Sequence, residues 1–364
     1  MTKRIHNFSA GPAALPLSVL EQVQRELLDF QGTGMSIMEM SHRGKVYEAV
    51  HNEAIADIKK LLGLGDEHAV LFMGGGGRTQ FAVLAMNLLH PGTFAEYANT
   101  GTWAETAYKE GKKLGDAREI WSSAKDKHTH VPQPGDLDGK INGQAAYFHY
   151  TSNNTIYGTE WQHIPNAGKV PLVCDMSSDF LSRPVEATRF GVIYAGAQKN
   201  VGPAGVTVVI VRKDLLARSR PELPDLFSWA KIEKENSLLN TPPAFNIYVV
   251  GLVAKDLLAH GGLNAMTEHN KKKAELLYKA IDGSSGFYRP HAKANSRSLM
   301  NVTYRLPSEE LEEKFASEAK KASMEGLKGH RSVGGIRASI YNAVSYESVQ
   351  TLVSFMEEFK KKNG

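Results

Sequence analysis

The chain has 364 residues, 42% hydrophobic and 23% charged, and its 43 basic and 39 acidic side chains leave a net charge of +4. That length exceeds what one core usually fills, so two domains are expected. The mild and dispersed charge argues against nucleic-acid binding, and the absence of a long apolar run or an apolar start to Met1–Phe8 predicts a cytoplasmic protein with no membrane segment.

Pro16 to Phe30 carries Leu20, Val23, Leu27 and Phe30 at helical spacing, which predicts a helix over 16–30 with the proline in its first turn. A second helix is predicted over 46–62, stopped by Gly63 and Gly65. Ala69 to Met73 is a short apolar strand, followed by the run Gly74-Gly75-Gly76-Gly77 and an apolar helix through Ala82, Leu84, Ala85 and Leu88. Strands are predicted over 93–98, 118–121, 145–150, 170–175, 191–195 and 206–211, with helical stretches such as Trp103 to Leu114 between several of them. This alternation predicts an α/β fold built on a mostly parallel sheet covered on both faces. The one cysteine, Cys174, lies inside an apolar strand and reads as a small buried hydrophobe.

After Thr241-Pro242-Pro243 a helix is predicted over 245–258, ended by Gly261-Gly262. The remainder changes character: helix 263–281, strand 299–304, helix 308–322, strand 335–340 and helix 346–360 make a compact α+β unit. The lysine runs Lys271-Lys272-Lys273 and Lys360-Lys361-Lys362 read as solvated helix faces or a frayed tail. The expected division is a large domain over 16–260 and a small one over 1–15 and 261–364.

Two strand ends carry the chemistry. The strand ending at Asp175 offers a carboxylate, and the strand before Ala197-Gln198-Lys199-Asn200 breaks at a turn that presents an amine. Together they point to pyridoxal phosphate, with Lys199 holding the aldehyde as a Schiff base and Asp175 holding the pyridinium nitrogen. Once displaced by substrate, Lys199 would also move the proton at the substrate Cα, a role that favours an amine less basic than a free lysine. Either residue alone reads as readily as a solvated lysine or a turn aspartate. The glycine run opening a helix is an anion site in the making, with Arg78 adding charge. Its spacing lacks a usable G-x-G-x-x-G register, which favours a phosphate handle over a dinucleotide.

Trp103 at a helix start could stack on a flat ring, although an ordinary core tryptophan would look the same. Thr155, in a polar turn past a strand end, could bond a ring oxygen or serve only the turn. His42-Arg43, His330-Arg331 and Arg337 form a basic set suited to a substrate with two anionic ends, against the plainer reading of surface charge. Arg337 is the most informative, since an arginine in a buried strand requires a partner.

Asn7-Phe8-Ser9-Ala10-Gly11-Pro12-Ala13, Ser41-His42-Arg43-Gly44-Lys45, Gly75 to Phe81, Ala197 to Gly205, Asn240 to Pro243 and Gly334 to Ser339 closely resemble the bacterial phosphoserine aminotransferases, across essentially the whole chain. The resemblance implies the aspartate-aminotransferase-like fold (fold type I) and a homodimer with active sites at the subunit interface. It implies a reversible ping-pong transfer between glutamate and 3-phosphohydroxypyruvate, giving 2-oxoglutarate and O-phosphoserine for serine biosynthesis. Whether the four-carbon analogue 3-hydroxy-2-oxo-4-phosphooxybutanoate, of pyridoxine biosynthesis, is also a substrate is left open. By the same resemblance, Lys199 forms the Schiff base, Asp175 pairs with the ring nitrogen, Trp103 stacks on the ring and Thr155 contacts the ring oxygen. Gly77, Arg78 and Gln198 belong to the phosphate cup, which Asn240 and Thr241 reach from the neighbouring subunit. His42, Arg43, His330 and Arg331 bind the substrate phosphate or side-chain carboxylate, and Arg337 forks the α-carboxylate. No metal is implied.

The competing readings are another aminotransferase of this fold, of the serine–pyruvate or alanine–glyoxylate type, a cysteine desulfurase, and a phosphate-binding module without catalysis. A desulfurase needs a reactive cysteine on a mobile loop, which Cys174 does not supply. Small neutral substrates would not need the basic set.

Overall fold

The computed structural model describes residues 4–364. Seven strands form the main sheet: β1 (His68–Gly74), β2 (Phe94–Asn99), β3 (Asp116–Ser122), β4 (Phe148–Thr151), β5 (Leu172–Asp175), β6 (Val192–Gly196) and β7 (Val206–Arg212), in the spatial order β1-β7-β6-β5-β4-β2-β3. All run parallel except β7, which pairs antiparallel with both β1 and β6. The exception has a local cause. The connection from β6 to β7, residues 197–205, is too short for a crossover, so the chain returns at the same end of the sheet. Lys199 lies in that connection.

Both faces of the sheet are covered, as the apolar strands require. On one face Phe72, Phe148, Cys174, Ile193 and Val208 share a core with Tyr47, Ala54 and Ile58 of α2 (Lys45–Leu62) and with Ile247 and Val250. On the other, Leu71, Val173, Tyr194 and Val209 pack with Phe81 and Leu84 of α3 (Gly77–Leu88) and Ala107 of α4 (Thr102–Leu114). Residues of opposite parity along each strand thus serve opposite cores. The helix carrying Ile247 and Val250, α5 (Ala244–Ala259), is apolar almost all round because it lies between other elements.

A third cluster gathers Phe8 with Leu277, Val302, Phe315, Ile336, Leu352 and other residues of the C-terminal part. It fills the space between β8 (Asn301–Arg305), β9 (Ile336–Ser339), α6 (Gly262–Asp282), α7 (Glu309–Lys321) and α8 (Tyr346–Asn363). The N-terminal segment joins it through His6–Asn7, which pairs in parallel with Met324–Glu325.

Two expectations are corrected. The first helix spans Leu17–Glu26, not 16–30. The backbone turns back at Gln31, Gly32 and Gly34, all with positive φ, and Phe30 is buried outside the helix, edge-on to Tyr248 at 5.6 Å. Lys273 is not on a solvated face. It shares the inward stripe of α6 with Asn270, Ala274, Leu277 and Ile281, and it is fully buried. No described helix is long and apolar enough to cross a membrane.

Candidate active site

The C-terminal ends of β5 and β6 lie side by side, with Asp175 opposite Tyr194, and open where a parallel sheet presents its binding edge. Asp175 is the last residue of β5 and is buried. Its Oδ1 accepts from the Ser177 amide (2.9 Å) and the Ser177 hydroxyl (2.6 Å), while Oδ2 accepts no hydrogen bond from the described residues. Burial pushes this carboxyl up from its ordinary value, against the opposing pull of the Lys199 charge and the Ser177 bonds.

Ser177 also ties the floor to the glycine run. Its Oγ accepts from the Gly196 amide at 3.1 Å, and a Cβ on Gly77 would stand 2.9 Å from that oxygen. Glycine at 77 therefore lets the start of α3 press against the end of β6. Gly76 caps α3 without a side-chain hydrogen bond, so no side chain of the cap takes up the first amides or the positive end of the helix dipole. A Cβ on Gly76 would lie 3.9 Å from Gln198 Nε2, which puts the Gln198 amide at the same helix end.

Lys199 Nζ donates to Thr155 Oγ1 at 2.7 Å. Thr155 is buried in the loop of a small hairpin formed by Asn153–Asn154 and Thr159–Glu160. Burial pushes the Lys199 amine down to about 8, Asp175 pulls it back up, and Arg337 lowers it further. The amine and the Arg78 guanidinium each lie 5.6 Å from the centroid of the Trp103 ring, in the first turn of α4.

Arg337, the second residue of β9, reaches toward the same place. Its Nη1 approaches Thr155 O at 3.4 Å, its Nε has no partner, and it forms no ion pair among the described residues. Burial lowers the guanidinium from its ordinary value. The described residues do not supply the partner that a buried strand arginine requires. His330 and Arg331 lie on the loop before β9, with His330 Nδ1 2.7 Å from Ser332 Oγ and Arg331 exposed. Burial, Arg337 and Arg331 all lower the His330 imidazole.

No hydrogen bond, ion pair or ring contact among the described residues joins the remaining candidates to Lys199 or Asp175. His42 is buried with Nε2 unpartnered, and Arg43, Asn240 and Thr241 are exposed. Asn240 bonds only the Thr241 carbonyl and borders a cavity of about 200 Å³ beside Gly74 and Thr79.

Sequence reasoning missed the layer behind the site. Ser152 bonds Asp179, whose carboxyl shares Arg183 with Glu160 at 3.6 and 3.2 Å, and Glu160 accepts from the Leu299 amide at 2.7 Å. Burial pushes Asp179 up to about 7, with Arg183 opposing and Glu160 adding to the rise. The i,i+4 spacing of Asp179 and Arg183, just past the end of β5, was the available signal.

The class-V aminotransferase family model matches residues 5–352. The phosphoserine aminotransferase of Desulfatibacillum aliphaticivorans is 55% identical over 366 positions, covering all of both chains. The solved phosphoserine aminotransferase from Bacillus circulans subsp. alkalophilus superimposes with a TM-score of 0.97 at 53% identity, again covering 100% of each. A pyridoxal phosphate-bound phosphoserine aminotransferase from Trichomonas vaginalis superimposes at 0.91 and 38% identity, covering 97% of this chain and 100% of that one.

Proposed function

The chain belongs to the class-V aminotransferases, and within them to the phosphoserine aminotransferases, and on that premise we propose that it transfers an amino group reversibly between glutamate and 3-phosphohydroxypyruvate. The products are 2-oxoglutarate and O-phosphoserine, the step belongs to serine biosynthesis, and its place is the cytoplasm. The observation that carries the reading is an amine of lowered basicity beside a buried carboxylate, with an unpaired arginine facing the same loop.

The enzyme's cofactor is pyridoxal phosphate, and the residues present fit it. Asp175 keeps one oxygen held and the other free, as a ring N–H would need. Gln198 Oε1 and Trp103 Nε1 are buried without partners, and the start of α3 carries uncapped amides. When bound, the group supplies an aldehyde for Lys199 and a ring that withdraws electrons from the substrate Cα.

The chain's own residues do the rest. Lys199 would carry the cofactor and, once displaced by substrate, would move the proton between the substrate Cα and the cofactor carbon. An amine pushed down to about 8 is suited to that exchange near neutral pH. Thr155 holds the amine in place through its 2.7 Å bond. Asp175 would hold the positive charge at the ring nitrogen, and Trp103 would pack against the ring. Gly77, Arg78 and Gln198 would hold the phosphate, with Asn240 and Thr241 of a second subunit completing the cup. Arg337 binds the α-carboxylate common to both substrates, and His42, Arg43, His330 and Arg331 bind the distal anion.

Because no contact among the described residues joins Asn240, Thr241, His42 or Arg43 to Lys199, this reading draws them from a second subunit, in a homodimer with shared sites. We also assign residues 16–260 to the cofactor-binding domain and 1–15 with 261–364 to the smaller one, of which 1–3 lie outside the described residues. The packing of Phe8 with the C-terminal core supports that division. The four-carbon phosphorylated analogue is the second acceptor to assay.

The test is the visible spectrum of the purified protein. The expected result is a yellow absorbance band that bleaches with glutamate and returns with 3-phosphohydroxypyruvate. Return only with a small neutral keto acid would move the assignment to the serine–pyruvate or alanine–glyoxylate type.

A further inference from the structure

The loop that carries His330 and Arg331 is built to stay in one shape. Its ends are closed by the Gly329 amide on Gly335 O at 2.8 Å, and His330 O accepts from the Val333 and Gly334 amides at 2.9 and 2.8 Å. Gly334 and Gly335 both have positive φ (75° and 74°), and a Cβ on Gly329 would fall 2.0 Å from Gly334 O. Among the described residues no acidic side chain pairs with His330 or Arg331.

Yet the N-terminal part of α7 brings Glu309, Glu312 and Glu313 to the wall of a cavity of about 440 Å³ shared with this loop. Left free, those carboxylates would attract Arg331 and repel an anionic ligand. Arg305, at the end of β8, prevents this. Its Nε donates to Glu312 Oε1 at 2.6 Å, its Nη2 lies 3.7 Å from Glu309, and its Nη1 donates to Val333 O at 2.7 Å. Glu312, with only 7% of its side chain exposed, accepts from the Leu306 amide on Oε1 (3.2 Å) and from the Gly335 amide on Oε2 (3.0 Å). Lys328 stands 3.9 Å from Glu313. Arginine and glutamate thus hold the C-terminal side of the loop at Val333 and Gly335, and Arg305, shared by Glu309 and Glu312, and Lys328, beside Glu313, offset much of the negative charge that faces it.

We propose that Arg305 and Glu312 are positioning residues that fix the His330–Arg331 loop and hold the nearby carboxylates away from Arg331, so that the loop prefers a doubly charged phosphate over a singly charged carboxylate. This rests on the reading that His330 and Arg331 bind the distal anion of the substrate. Neither Arg305 nor Glu312 touches substrate. Both act through the loop.

The experiment compares Arg305→Gln, Glu312→Gln, the double variant and Arg331→Ala as pyridoxal phosphate-loaded enzymes, by steady-state kinetics with both substrates and by absorbance. Arg305→Gln is expected to raise KM for 3-phosphohydroxypyruvate about tenfold, through loss of a charge-assisted bond and release of the Glu312 carboxylate. KM for glutamate should rise less, and kcat and the absorbance band should hold. The double variant should recover part of the loss, because the freed acid is gone. If Arg331→Ala leaves both KM values unchanged, the loop does not bind the anion, and the proposal falls with that reading. A raised KM in Arg331→Ala but not in Arg305→Gln would overturn the clamp alone. Equal losses in KM, kcat and absorbance in Arg305→Gln, with the double variant worse still, would mark the pair as merely structural and also overturn it.

Discussion

Two lysines in this molecule are largely withdrawn from water, and we place only one of them in a site. Burial pushes Lys199 down to about 8 and Lys273 down to about 7. Lys273 Nζ donates to the carbonyls of Ile340, Tyr341 and Val344 at 2.9, 2.7 and 2.9 Å, so every N–H of an ammonium has its acceptor. That geometry favours the charged form against burial, and it fastens a turn whose Asn342 amide bonds Asn200, the neighbour of Lys199. Lys199 has one hydroxyl partner, an aromatic face and a carboxylate's field, with donor capacity left over. Lowered basicity marks desolvation in both. Unfilled bonding capacity at the sheet edge distinguishes the one proposed to be reactive.

Exchanging the two roles by mutation gives the largest expected contrast. Lys199→Ala should lower amino transfer about 10³-fold or more, with the midpoint of urea unfolding unchanged. Lys273→Met should do the reverse. It leaves buried carbonyls without a donor, at about 1–3 kcal/mol for each that finds no new partner, while kcat per folded molecule stays near the parent's. A Lys273→Met protein that unfolds at the parent's midpoint but has lost turnover would break the comparison.

The same contrast should appear in chemical labelling of the cofactor-free protein, read by peptide mass mapping. Only a neutral amine reacts with an acylating reagent. The labelling rate of Lys199 should therefore climb with pH through about 8 and level off above it. An ordinary lysine continues to climb toward about 10.4, so near pH 8 Lys199 should react on the order of a hundredfold faster. Lys273, fully buried, should remain unlabelled until the protein unfolds. A Lys199 midpoint near that of an ordinary lysine would remove the argument from burial.

The lysine proposed as reactive stands out in the sequence, and the structural one does not. Apolar runs ending in Asp175 and leading into Lys199 imply adjacent strand ends, because a parallel sheet buries both faces of its strands and puts its polar ends at one edge. Lys273 sits in a run of three lysines, which looks solvated. The i, i+3, i+4 stripe through Asn270, Lys273, Ala274 and Leu277 hints otherwise, but three backbone acceptors are not encoded at any spacing. The direction of β7 and the early end of the first helix turn on loop geometry at 197–205 and 31–34, which periodicity does not report. Arg305 and Glu312 escape the sequence for the same reason. They meet the loop only because β8 and α7 pack beside it.

The comparison extends to the arginines, with a smaller expected effect. Arg183 is matched by Glu160 and Asp179, as Lys273 is by its carbonyls. Arg337 resembles Lys199: largely desolvated, with an unpartnered Nε and one long bond to Thr155 O. Its missing partner should be the carboxylate that glutamate and the phosphorylated keto acid share. Arg337→Ala should therefore raise KM for both substrates, each by about tenfold or more, as loss of a charge-assisted bond would. Arg337→Lys should restore only part of this, because an ammonium cannot present the same fork. An increase confined to one substrate would tie Arg337 to the distal anion instead. Unchanged KM values for both would show that an unpaired buried cation, unlike an underbonded amine at a sheet edge, is not enough to identify a ligand contact.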